Sequence, residues 1–113
     1  MAYDEELADR IREALVGEPD LSEKKMFGGL AFLVHGHMAV AASSKRDLMV
    51  RVDPSEAEQL LDGRTVSRME MGGRKRDGWL RVAPEAIATD DDLGRWVERG
   101  IGFSRTLPPK AGR

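Results

Sequence analysis

Two five-residue apolar runs, Leu30 to Val34 and Met38 to Ala42, flank His35-Gly36-His37, and this arrangement constrains the fold more than any other feature of the chain. In the first run Leu30, Phe32 and Val34 alternate with Ala31 and Leu33, a period of two that belongs to a strand. A short glycine-containing break between two such runs closes a hairpin. A polar connection, Ser43 to Asp47, leads to a third alternating segment, where Leu48, Val50 and Val52 interleave with Met49 and Arg51. A three-stranded meander is expected there.

The flanking segments change period. Tyr3, Leu7, Ile11, Ala14 and Leu15 recur at steps of three and four, which predicts a helix over 3–16. Asp4, Glu5 and Glu6 complement its dipole, and Gly17 with Glu18-Pro19 stops it. Asp53-Pro54-Ser55-Glu56 opens a second helix with Asp53 as cap, Pro54 at the first helical position and Glu56 at the capping-box position. Ala57, Leu60 and Leu61 form its apolar face, and Asp62-Gly63 ends it. Strands near Thr65 to Met71 and Trp79 to Val82 then enclose a turn-rich basic loop, Gly72 to Gly78.

Pro84 to Ile87 reads as a single turn, and Thr89-Asp90-Asp91-Asp92 opens a last helix carrying Leu93, Trp96, Val97 and Ile101 on one face. Gly94, Gly100 and Gly102 each weaken that helix by roughly 1 kcal/mol relative to alanine, so packing must hold it. The expectation is one α+β domain over 1–105 in two layers, ordered helix, three strands, helix, two strands, helix. Its antiparallel-rich, five-stranded sheet carries the helices on one face. Residues 106–113, with Pro108-Pro109, are expected to be a flexible tail.

Composition bounds the chemistry. A chain of 113 residues with 41% hydrophobic content can bury one core without disulfides, and it contains no cysteine. That excludes thiolate zinc sites, redox pairs and cysteine nucleophiles. A net charge of -2 with 34% charged residues describes a balanced, solvated surface rather than a polycation for duplex DNA. The acidic start, Met1 to Glu6, is unlike a signal peptide, and apolar runs of five residues fall far short of the ~20 that span a membrane. A cytoplasmic protein without membrane contact is expected.

The sequence resembles the N-terminal domain of the TfoX/Sxy competence-regulator family. The resemblance is carried by Met26-Phe27-Gly28-Gly29 leading into Leu30 to Val34 and the Gly36 turn. Leu48-Met49-Val50-Arg51-Val52-Asp53 and Gly78-Trp79-Leu80 followed by Pro84 extend it. It implies a two-layer fold of the secretion-chaperone-like type. Family members that also carry a helical C-terminal half, absent from this sequence, act as transcriptional co-regulators of competence genes alongside the cyclic-AMP receptor protein. The resemblance brings no catalytic residues with it.

The residues themselves yield few catalytic signals. His35 and His37 sit two apart at a glycine turn, where solvated rings are the simpler reading than metal ligands. As general bases they need a partner from Ser43, Ser44 or Asp47. Gly28-Gly29 and Gly72-Gly73 match neither a P-loop nor a dinucleotide fingerprint and read as turns or bulges. Asp90-Asp91-Asp92 is explained by capping, and Arg74-Lys75-Arg76 forms a candidate basic loop without interleaved aromatics. No catalytic residue, cofactor or metal is expected.

Alternation assigns Phe32, Val34, Val40, Leu48, Val50, Leu80 and Val82 to the helix side of the sheet. The opposite side then carries Leu33, Ala39, Ala41, Met49 and Trp79, interrupted by Arg51 and Arg81. A solvated sheet face is normally more polar than this, so these five residues are the candidate interaction surface. The expected function is a non-enzymatic, regulatory protein-interaction module that binds itself as a homodimer or another protein. The alternatives are a small-molecule-binding domain or minor enzyme with a pocket near the His35/His37 turn, and a nucleic-acid accessory protein using the basic loop. Direct contact with nucleic acid is disfavoured.

Overall fold

The computed structural model describes residues 4–18, 21–26, 29–43, 46–71 and 74–107, the side chains of 26, 69–71 and 74–77 excepted. The elements run α1 (Glu5–Ala14), β1 (Leu21–Met26), β2 (Gly29–Val34), β3 (His37–Ala42), β4 (Leu48–Arg51), α2 (Pro54–Leu60), β5 (Val66–Met71) and β6 (Arg74–Val82). A 3-10 turn, Pro84–Ile87, precedes α3 (Asp90–Arg105). The strands form one antiparallel sheet in the order β1-β2-β3-β4-β6-β5, and the helices lie on one of its faces.

The sheet has six strands rather than the expected five. The additional strand, β1, reads Leu-Ser-Glu-Lys-Lys-Met and pairs only with β2, at the sheet edge. Charged side chains there discourage edge-to-edge association, and they also erase the apolar alternation by which an inner strand is recognised. The second hairpin differs as well. Residues 74–76, expected in a loop, have strand backbone, with Arg74 opposite Met71 and Lys75 opposite Glu70. The register then slips, so that residues 76–79 of β6 oppose residue 69 alone of β5, a bulge that lets Arg76, Asp77 and Gly78 remain in the sheet.

Capping follows the sequence for α2 and α3, while α1 starts later than expected, with Asp4 as its cap rather than in its first turn. The Asp4 carboxylate accepts from the backbone N–H groups of Glu6 and Leu7, Asp53 accepts from Ser55, and Thr89 accepts from Asp92. Helix α1 buries Leu7, Ala8 and Ile11, with Leu15 just beyond its end; Ala14, expected on this stripe, is exposed. Tyr3 and the expected tail, Pro108 onward, lie outside the described residues. Thr106 and Leu107 continue from α3, their N–H groups donating to the Phe103 and Ser104 carbonyls.

One core lies between the layers. Phe32, Val40, Val50, Leu80 and Val82 from the sheet meet Ile11, Ala57, Ile87, Leu93, Val97 and Ile101 from above, all buried. Helix α3 crosses β3 and β4 at Gly100. A Cβ there would stand 2.6 Å from the Ala39 carbonyl oxygen and 2.9 Å from Val40 Cγ1, so only glycine admits the helix so close. Of the three α3 glycines, this one has a packing reason; the corresponding positions at Gly94 and Gly102 open onto free space.

Ion pairs fasten α1 to its surroundings. Arg12 donates to both Glu23 carboxylate oxygens on β1, at 2.8 and 2.9 Å, while Arg10 reaches the Ile87 carbonyl at 2.9 Å. Arg105 of α3 holds the largely buried Glu18 carboxylate just beyond α1 and also reaches Glu98. The hydrogen bonds from Arg12 hold the Glu23 carboxyl below its ordinary value, against the opposing effect of partial burial.

Two expected outcomes follow from this packing. Gly100→Ala loses about 3 kcal/mol in denaturant unfolding through overpacking, whereas Gly94→Ala gains about 0.5–1 kcal/mol from helix propensity; a neutral Gly100→Ala refutes the close approach. Because the folded pKa of Glu23 is depressed, its contribution is full above the ordinary carboxylate pKa of about 4.3 and is lost as pH falls through the lower folded value. The stability gap between wild type and Glu23→Gln therefore narrows from about pH 6 to about pH 3, and a gap independent of pH contradicts the assignment.

Candidate interaction surface

On the face away from the helices, strand register places Lys24, Ala31, Ala41, Met49, Arg81 and Ser67 in one row across the sheet. A second set follows from the pairs Ser22 with Leu33, Leu33 with Met38, and Arg51 with Trp79. Ala31, Ala41 and Met49 form a small buried cluster of their own, with Leu33, Met38 and Trp79 packed partly buried against it. Among the described residues, every helix contributes instead to the core on the opposite face.

Four of the five residues expected on this face belong to the cluster, and Ala39 does not. Phe32 pairs with Val40 but Leu33 pairs with Met38, so β3 carries one extra residue at this point. The bulge turns Ala39 into the helix-side core, where its carbonyl lies beneath Gly100, and Met38 takes the open face in its place. Strict alternation along β3 had no means of finding Met38. A bulge adds a residue without any change in composition.

Glycine also explains the start of the hairpin. Gly29 opposes Met26 across the β1–β2 connection, and a Cβ on it would stand 2.6 Å from the Ala42 carbonyl oxygen. The second glycine of Met26-Phe27-Gly28-Gly29 is thus fixed by close strand contact; Phe27 and Gly28 lie outside the described residues. At the far end, His35 at φ 54 and Gly36 at φ 82 form the two-residue turn, matching the twist of the flanking strands.

The face is cationic at its margins. Arg81 Nε lies 3.0 Å from Asp47 Oδ2, a pair that tethers the β3–β4 connection, where Asp47 N also donates to Ser43 Oγ at 3.1 Å. Arg51 is half-buried. Its Cζ lies 5.9 Å from the Trp79 ring centroid and 5.8 Å from that of Phe103 on α3, within range of attraction to both ring faces.

The other sequence-level candidates do not converge. His35 and His37 are half-buried at one end of β3, while Ser43 and Asp47 are at its other end, on the order of 20 Å away for a six-residue strand. The pairing of these histidines with Ser43 or Asp47 is therefore corrected, and Ser44 lies outside the described residues. Among the described residues no group of three His, Asp or Glu side chains is placed to hold a metal ion. Asp90 and Asp91 line an open depression of about 710 Å³ on the outer side of α3, with Arg95, Glu98 and Arg99. The side chains of Arg74, Lys75 and Arg76, and all of Gly72-Gly73, lie outside the described residues. Among the described residues no helix is long and apolar enough to cross a membrane.

The two faces differ in what truncation should cost. Phe32→Ala is expected to lose about 3–5 kcal/mol, and Leu33→Ala, next in sequence but half-buried on the other face, about 1 kcal/mol. Equal losses in chemical denaturation would mean that Leu33 is ordinary core.

A family model described as the TfoX N-terminal domain matches residues 13–104. No curated protein and no solved structure matches the chain.

Proposed function

Because the chain belongs to the TfoX N-terminal domain family, we propose that it is a non-enzymatic, regulatory protein-interaction module of the cytoplasm whose contact surface is the open face of the sheet. The observation that carries this reading is the second apolar cluster, Ala31, Ala41 and Met49 beneath Leu33, Met38 and Trp79, set apart from the helix-side core. A sheet with one face under helices ordinarily turns a polar second face to water. Methionine and tryptophan beside arginine is instead the composition of an interface core. Among the described residues the histidine turn and the Ser43 and Asp47 side chains stand at opposite ends of β3, which separates the candidate bases from the candidate nucleophile.

The test is paired capture. Tagged wild type and Met38→Asp, a change on the half-buried open face, are each recovered from extracts of the source cells after their melting curves have been matched. A partner retained in near-stoichiometric amount by wild type and lost by Met38→Asp is the expected result. Equal recovery with both proteins, or none with either, contradicts the reading.

A further inference from the structure

Part of the charge at the margin of the open face is unanswered among the described residues. Arg12, Arg81 and Arg105 each meet a carboxylate, whereas Arg51 meets two aromatic rings, and no carboxylate is paired with it among the described residues. Lys24, exposed on β1, lies in the same row as Ala31, Ala41 and Met49. Lys24, Arg51 and Arg81 thus border the apolar cluster; Asp47 is paired with Arg81, and Asp53, Glu56 and Glu98 line a depression with Phe103 beyond Arg51.

We propose that this face takes an acidic amphipathic segment of a partner protein, its apolar side chains on Leu33, Met38 and Trp79 and one carboxylate on Arg51. The proposal rests on the interaction-module reading and names the partner's chemistry. Contact with Trp79 and Phe103 restricts the guanidinium before any partner arrives, so pairing it costs less side-chain entropy than ordering a free surface arginine. The position, half-buried beside Trp79, is where arginine and tryptophan dominate binding energy.

Charge also decides against a second copy of the chain as occupant. The acids of the described residues are concentrated on and around the helices, as in Glu5 and Glu6 of α1 and Asp90 to Asp92 of α3. Two open faces laid together would bring two sets of Lys24, Arg51 and Arg81 into one interface, doubling its positive charge. Joining an open face to a neighbour's helical layer is heterologous and, unless the rotation closes, builds chains rather than a dimer. An acidic partner satisfies the margin in one step.

The test uses Trp79 as reporter in a Trp96→Phe background, because the chain contains two tryptophans. The probes are a synthetic amphipathic peptide with glutamate at every polar position and its twin with lysine. Saturable change with the glutamate peptide alone is expected, weakened by added salt, on the order of tenfold by Arg51→Gln, and by a smaller factor by Lys24→Gln. No saturable change with the glutamate peptide overturns the proposal. Equal binding of both twins also overturns it but leaves the face standing as an apolar interaction surface.

If Arg51→Gln does not fold by circular dichroism, Lys24→Gln decides, since Lys24 is exposed on an edge strand. Affinity unchanged by Lys24→Gln and by salt then rejects the proposal. A homodimer in sedimentation that is dissociated by Leu33→Ser assigns the face to a second copy and likewise overturns it.

Discussion

Gly100 of α3 rests against the β3 backbone where the bulge turns the Ala39 carbonyl upward, leaving 2.6 Å where a Cβ would have to fit. The position of the helical layer depends on that approach. With α3 seated there, Leu93, Val97 and Ile101 reach the centre of the sheet and close over Val40 and Val50. The same bulge that admits the helix shifts β3 by one residue and delivers Met38 to the far side. A single local irregularity thus links the depth of the core to the composition of the opposite face.

Electrostatic contacts act at the periphery of this arrangement. Arg12 with Glu23 joins α1 to the edge strand, Arg105 with Glu18 joins the end of α3 to the segment after α1, and Arg81 with Asp47 joins β6 to the β3–β4 connection. In each pair the arginine is partly exposed to solvent, which weakens the attraction, and the pair orients elements that apolar contact alone would leave free to slide. The Asp62 loop works similarly through hydrogen bonds: its carboxylate accepts from the Thr65 hydroxyl and from the N–H groups of Val66, Arg64 and Thr65, which holds its pKa far below the usual carboxylate range and sets the entry to β5. Among the described residues the fully buried Ser104 hydroxyl has no hydrogen-bond partner, and nothing in the structure explains it.

Much of the fold was legible because period reports burial directly. Phe32, Val34, Val40, Leu48, Val50, Leu80 and Val82 all lie in the helix-side core, as their alternation implies, and Asp53 and Thr89 cap their helices at the expected starts, while Asp4, expected inside the first turn of α1, is its cap instead. The failures share a cause. Alternation assumes two buried neighbours and an unbroken register, and β1 lacks the first while β3 and β6 lack the second. The candidate site inherited one error from this, Ala39 in place of Met38. The cation between Trp79 and Phe103 was invisible for another reason: Arg51 and Phe103 are far apart in sequence, and only the crossing of α3 brings them together.

The central claim is that one sheet face is sealed by the chain's own helices while the other is kept for a partner. Paramagnetic attenuation of methyl signals by a soluble probe, measured by nuclear magnetic resonance on the isolated chain, tests it most directly. Leu33 and Met38 methyls are predicted to be strongly attenuated, while Val40, Val50 and Leu80 are untouched. Equal protection of both sets would mean that the chain covers this face itself, and would contradict the account.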